Sequence, residues 1–177
     1  MDTSRYLDDK VVFAANSILK KQFPEVHGFE DTLYINTPQY RTRAYPTAAN
    51  IFYVGNRHHK ISSVYAEMNN INYYESLDPG SEPNSHVLKQ FREAYKLTSG
   101  TFYVRSQMCQ QQHNVDCVVY SVANVWSVCS GLDPSRISFN ENTLRMELLM
   151  SFMKQVISFS YQNITSRGVA IVYEYSI

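Results

Sequence analysis

One cysteine in this chain has the neighbours a nucleophile needs. Cys117 follows a polar loop, Gln110-Gln111-Gln112-His113-Asn114, and opens a long apolar run that ends near Cys129. If that run is a helix, the thiol sits at its first turn, where open backbone N–H groups and the helix dipole favour an anion. A thiolate nucleophile needs a base, and the base needs a group that orients it. The pair His58-His59 precedes an apolar strand-like segment, and Glu75 closes the next one. Two adjacent strands can set such a His and Glu side by side, so that the carboxylate fixes the imidazole tautomer and stabilises the imidazolium. The oxyanion of an acyl-transfer step also needs donors, and the Cys117 N–H and a glutamine side chain just upstream can supply them.

Each of these residues has an ordinary explanation when taken singly. A lone Cys is most often a small buried hydrophobe. His58-His59 reads equally as a solvated turn, Glu75 as a surface charge at a strand end, and the glutamines as a polar loop. Cys109 lies in a strand-to-loop passage and Cys129 at the far end of the helix. Neither shares the setting of Cys117, and both read as structural.

The bulk numbers restrict what the chain can be. Its 177 residues fit one domain, residues 1–177, with a single core. Hydrophobic content of 44% and charged content of 18% are those of an ordinary globular protein. Lys+Arg and Asp+Glu are both 16, for zero net charge. That balance argues against a nucleic-acid-binding domain, which carries a basic excess, and against a polybasic membrane anchor. The opening MDTSRYLDDK has no apolar signal-peptide core, and no run approaches the ~20 apolar residues that span a bilayer. A soluble intracellular protein is the expectation, with no basic cluster to decide between cytoplasm and nucleus. Three cysteines with no Cys-x-x-Cys pair predict neither a disulfide framework nor a structural zinc site.

The elements that must position the site follow from periodicity and punctuation. Asp8 or Asp9 caps a helix to about Lys21 with Val11, Ala14, Ala15, Ile18 and Leu19 inward, and Pro24 stops it. Leu33–Ile35, Ile51–Val54, Ile61–Tyr65 and Ile71–Tyr74 read as strands. Asn84 or Ser85 caps a helix through Leu97, and Phe102–Val104 is a further strand. The run from Val115 to Cys129 is apolar nearly all round, which predicts a helix buried at the centre of the domain. A last helix runs from about Glu141 to Ile157 with Leu144, Leu148, Phe152 and Val156 inward, and Val169–Tyr173 is a terminal strand. The order lacks the regular alternation of a doubly wound sheet and predicts an α+β layout.

The order His, then Glu-Ser-Leu, then Gln-x-x-x-x-Asp-Cys resembles the ubiquitin-like-modifier proteases, which include the SUMO/sentrin proteases and, more distantly, the adenovirus protease. Those carry a His-Trp strand motif, a Tyr-Asp-Ser-Leu motif, and Gln-x-Asn-x-x-Asp-Cys-Gly before a buried helix. The parallels are His59-Lys60-Ile61-Ser62, Tyr74-Glu75-Ser76-Leu77, and Gln111 through Cys117. Tyr6-Leu7-Asp8-Asp9, Gly131-Leu132-Asp133-Pro134 and Leu144-Arg145-Met146-Glu147-Leu148 extend the likeness from about Arg5 to Lys154, in the style of transposon- and virus-associated members. Three positions depart from the pattern: Lys60 stands for the Trp, Val118 for the Gly, and Glu75 for the Asp.

The resemblance implies a papain-like cysteine peptidase fold, with a mixed β-sheet flanked by helices and a buried central helix carrying the nucleophile. It implies hydrolysis of a peptide or isopeptide bond by Cys117, with His59 as base, Glu75 as its orienting acid and Gln111 at the oxyanion hole. His58 is the second choice of base and Gln112 the second choice of donor. The substrate implied is the tail of a ubiquitin-like modifier or a polyprotein, with no metal or organic cofactor and no nucleic-acid or membrane partner. Two other functions fit the same residues: a His-Glu-Cys acetyltransferase of the same clan, and a binding module for a ubiquitin-like protein. A structural domain with no site is the fourth reading.

Overall fold

The chain's first described helix, α1 (Asp9–Gln22), begins where Asp8 takes an extended backbone and its carboxylate accepts the N–H groups of Lys10 and Val11. The computed structural model describes residues 7–29, 48–53, 60–66 (as backbone), 69–97, 100–111 and 115–177. The strand expected at Leu33–Ile35 lies outside them. The buried face of α1 is Val12, Ala15, Asn16, Ile18 and Leu19, so the apolar stripe is turned by one position at its start and takes in a polar side chain.

Among the described residues, a six-stranded mixed sheet forms the centre. Its members are β1 (His27–Gly28), β2 (Ala48–Tyr53), β3 (Lys60–Ala66), β4 (Asn70–Tyr74), β5 (Thr101–Ser106) and β8 (Ile171–Ser176), in the order β1-β2-β3-β4-β5-β8. The pairs β1–β2 and β4–β5 are parallel, and the pairs β2–β3, β3–β4 and β5–β8 are antiparallel. The crossover between β4 and β5 is α2 (Ser85–Ala94), capped by Asn84 through the Val87 N–H. A second, two-stranded sheet pairs β6 (Ile137–Phe139) with β7 (Tyr161–Asn163).

Two apolar layers sandwich the sheet. Ala49, Ile51 and Tyr74 face one core, shared with α1, with α3 (Cys117–Cys129) and with α4 (Leu144–Lys154). Ala48, Phe52, Ile71 and Tyr73 face the other, where Phe91 of α2, Tyr95 just past its end, and Phe102 and Val104 of β5 close it. Strand β2 is buried at five of its six positions because both its faces are covered, which is why it reads as a continuous apolar run instead of an alternation.

The central helix is as the sequence pattern requires. Residues 117 to 127 of α3 are all buried, and the helix lies against β2 and β3 on one side and α1 and α4 on the other. The last helix is shorter than expected, because Gln155 turns into the left-handed region at φ 55 and ends it. Beyond that break the register changes: Ile157 is fully buried, whereas Val156, expected to point inward, is exposed. The short strands β1, β6 and β7 have no periodicity of their own and depend on partners distant in sequence. Among the described residues no helix is long and apolar enough to cross a membrane. The architecture is α+β, with helices on both faces of one mixed sheet.

Candidate active site

Cys117 is the first residue of α3 and is 1% exposed. It sits in the same apolar cluster as Tyr74 at the end of β4 and Cys109 in the loop after β5. The segments that carry the candidate nucleophile, acid and glutamines therefore all border this one core. The branched Val118 that follows the nucleophile is accommodated by packing, since its side chain is 1% exposed and belongs to the cluster.

Glu75 is not the surface charge of the ordinary explanation. It is 6% exposed, at the point where β4 runs out. Its Oε1 accepts the Leu77 N–H at 2.8 Å, and its Oε2 lies 3.5 Å from the Tyr73 hydroxyl, which donates to it. Burial first, and then the Glu75 charge, push the Tyr73 hydroxyl well up, so it stays protonated and serves as a donor. A buried carboxylate without donors would be costly, and these two hold it in place. His58 and His59, the two candidate bases, lie outside the described residues; β3 begins at the next position, Lys60.

Gln110 and Gln111, neighbours in the sequence, part company in the structure. Gln110 is 9% exposed, and its amide is fully engaged. Its Oε1 accepts the Phe139 N–H at 2.7 Å, and its Nε2 donates to the Phe139 carbonyl at 3.2 Å. The Gln110 side chain thus pairs both backbone groups of one β6 residue, as a neighbouring strand would. The same Nε2 approaches the Tyr120 hydroxyl at 3.3 Å and Glu141 at 3.4 Å, and Tyr120 donates to Glu141 at 3.1 Å. Gln111, by contrast, is exposed, and its Nε2 donates to the Leu77 carbonyl at 3.2 Å. The glutamine with the matching spacing to Cys117 is therefore tied to the turn that Glu75 also braces. Gln112 lies outside the described residues.

The other two thiols are set up against chemistry. Cys109 is 1% exposed, and its Sγ is 3.6 Å from the Glu75 carbonyl. Burial, and then the Glu75 charge, push it up to about 12. Burial, and then Glu25, push Cys129 up to about 12 as well. Both stay as neutral thiols at ordinary pH, in line with the structural roles expected of them.

Sequence reasoning missed Arg145. It projects from α4, and its Nε donates to an Asp116 carboxylate oxygen while its Nη2 donates to the Val115 carbonyl at 3.2 Å. The side chains are 10% and 13% exposed. The available signal was a cation placed beside the inward-facing Leu144, on a helix whose apolar face turns toward the core.

Solved structures with this arrangement of elements exist. The SUMO protease Ulp1 with its catalytic cysteine oxidised to a sulfinic acid matches over 86% of this chain and 78% of that one, with TM-score 0.61 and 15% identity. The C-terminal Ulp1 protease domain, in complex with Smt3, the yeast ortholog of SUMO, matches over 89% and 80%, with TM-score 0.63 and 14% identity. The catalytic domain of the Ulp1-like SUMO protease of Chaetomium thermophilum matches over 88% and 75%, with TM-score 0.64 and 14% identity. The chain has the fold of the Ulp1-like SUMO proteases. No family model matches it, and no curated protein sequence does.

Two of the positions that depart from the motif pattern are described in full. Val118 fills core volume on the buried side of α3, and Glu75 is a buried carboxyl with two hydrogen-bond donors in place. The backbone of Lys60 starts β3, paired with Tyr53.

Proposed function

We propose that this chain is a thiol-dependent peptidase that cleaves a peptide or isopeptide bond at the tail of a ubiquitin-like modifier or within a polyprotein. One observation carries the reading: Cys117 opens a helix buried from residue 117 to 127 in an Ulp1-like fold, with the N-cap side chain making no capping bond across the helix end. A cysteine serving only as core filler has no need of that position.

In this reading the Cys117 thiolate attacks the substrate carbonyl carbon, after His59 has taken the thiol proton. The Glu75 carboxylate, held by Leu77 and Tyr73, fixes the imidazole and stabilises it when charged. The oxyanion receives the Cys117 backbone N–H and one N–H of Gln111, whose other N–H holds the side chain to the Leu77 carbonyl. His59 then protonates the leaving amine; in the second stage it takes a proton from water, the water oxygen attacks the thioester carbonyl, and the Cys117 thiolate leaves and is reprotonated as the acid product departs. The neighbour crystallised with Smt3 supports a SUMO-type modifier as the first substrate to try.

The test is covalent capture by a panel of ubiquitin-like proteins bearing a C-terminal electrophile, SUMO and ubiquitin among them. The wild-type chain is expected to form an adduct with at least one. Cys117→Ala should form none while remaining folded, and Cys109→Ala and Cys129→Ala should still form it. Capture by the Cys117→Ala variant, or no adduct across the panel, would overturn the reading. Acetyl transfer to protein from labelled acetyl-CoA, without cleavage, would replace it with the transferase.

A further inference from the structure

The chain contains its own comparison for the residue before the nucleophile. Three of its helices start at an acidic or amide side chain able to cap. Asp8, with ψ 176, accepts two N–H groups of α1, and Asn84, with ψ 167, accepts the Val87 N–H of α2 at 3.0 Å. Asp116, with φ −106 and ψ 17, has the same chemistry at α3 and makes no side-chain capping bond. An aspartate is among the best of capping residues, so its failure here needs a cause.

Its backbone is not extended as at the other two caps, and its carboxylate has another partner, Arg145. Its guanidinium takes the Asp116 carboxylate through Nε and the Val115 carbonyl through Nη2, a two-pronged grip that a planar fork can make and a point charge cannot. Both side chains are almost wholly removed from solvent, so the pair is specific in geometry. The other carboxylate on this stretch of α4, Glu147, is occupied elsewhere, by the Thr143 hydroxyl at 2.8 Å and the Ser160 N–H at 2.7 Å. Among the described residues, no other hydrogen bond or ion pair holds the Asp116 carboxylate, so without Arg145 it could turn to cap Val118 or Val119. A capping carboxylate there would set a negative charge against the helix end, where the thiolate and the oxyanion must form.

We propose that Arg145 is a positioning residue for the reaction, holding the Asp116 carboxylate off the end of α3 and fixing the Val115–Asp116 backbone, so that the helix N-terminus stays open to the charge that develops beside Cys117. Among the described residues, Asp116 and Arg145 are the ion pair held at that helix end, from the α3 and α4 sides. The inference rests on the peptidase reading, and its test has an arm that needs no turnover.

Arg145→Met should lower kcat on a SUMO–aminomethylcoumarin conjugate by about 10²-fold, the size of effect seen when one oxyanion donor is lost, with KM little changed. Adding Asp116→Ala removes the carboxylate that would cap, and should recover about tenfold of that loss. A residue with a merely structural role predicts the opposite, a double variant no better than the single one. In the turnover-independent arm, the Val118 or Val119 amide proton resonance should move downfield in Arg145→Met as it acquires a carboxylate acceptor, and return in the double variant. Arg145→Lys keeps a charge beside Asp116 but loses the second prong to the Val115 carbonyl; it guards against a failure of the Met variant to fold, and its Val118 and Val119 amide resonances should lie between the wild-type and Arg145→Met positions. Unshifted amides in a folded Arg145→Met variant, amides in Arg145→Lys shifted further than in Arg145→Met, or a double variant as slow as the single would each overturn the proposal. If the wild type leaves the conjugate uncleaved, the peptidase reading fails on SUMO, and the amide resonances alone decide the role of Arg145.

Discussion

Gln110 and Gln111 are adjacent, chemically identical, and predicted to fail in opposite ways. In Gln110→Leu the side chain keeps its bulk and loses its amide. The Phe139 N–H, now satisfied at 2.7 Å, and the Phe139 carbonyl, satisfied at 3.2 Å, are left without those partners inside the protein. Each orphaned buried backbone group costs about 1–3 kcal/mol, and the two share one site, so the expected loss is about 2–4 kcal/mol. For a chain of this size that is a fall in Tm of roughly 5–15 °C. The assay is urea unfolding followed by circular dichroism, with the midpoint lowered and the m-value unchanged. Gln111→Leu removes one bond from an exposed side chain, and should change stability by no more than about 0.5 kcal/mol. Under the proposed mechanism it should instead cost about 10²–10³ in kcat. The reasoning is refuted if Gln110→Leu is as stable as wild type, and the assignment of the oxyanion donor is refuted if Gln111→Leu keeps full kcat.

Glu75→Gln preserves an acceptor for the Leu77 N–H but removes the charge that would steady the imidazolium; kcat should fall by about 10²–10⁴ with little change in Tm, and a loss of fold instead would make Glu75 a structural residue. His59→Ala should cost more activity than His58→Ala in the same SUMO conjugate assay, and the reverse ranking would move the base to His58. Stability should fall at alkaline pH, because Cys109 and Cys129 are both raised to about 12 in the fold. The contribution of these neutral thiols is fully present below about pH 8.5, where an unfolded thiol titrates, and is lost as pH rises toward 12. Urea midpoints measured across that range check it, and the double variant Cys109→Ala, Cys129→Ala should show a flatter decline. Gly28→Ala should destabilise by more than about 2 kcal/mol, since a Cβ at φ +98 runs into the Ala49 carbonyl of the paired strand; a thermal melt within a degree of wild type would contradict it.

Much of the framework was legible because it rests on local rules. Asp8 and Asn84 start helices where capping chemistry says they should, the all-round apolar run after Cys117 is a buried helix, and the β-branched segments among the described residues are strands. The spacing of Gln111, Asp116 and Cys117 is likewise a local property, and it is what made the resemblance readable. What lies between partners distant in the chain was not legible. The strands β6 and β7 exist because residues 137–139 meet 161–163 and the Gln110 side chain, none of which a window of sequence can see. Val156 and Ile157 exchanged places because one residue, Gln155, broke the helical phase on which the inward positions were counted.

By itself the sequence determined which residues could do chemistry, and placed the thiol at a helix start, because residue type and short-range periodicity set both. Only the tertiary structure decided among equals: which glutamine is a structural staple and which is tied to the Glu75 turn, and whether Asp116 caps its helix or is drawn away from it. Those choices are made by contacts with Phe139, Leu77 and Arg145, from segments 29 to 34 positions away along the chain, whose position depends on how the whole core packs.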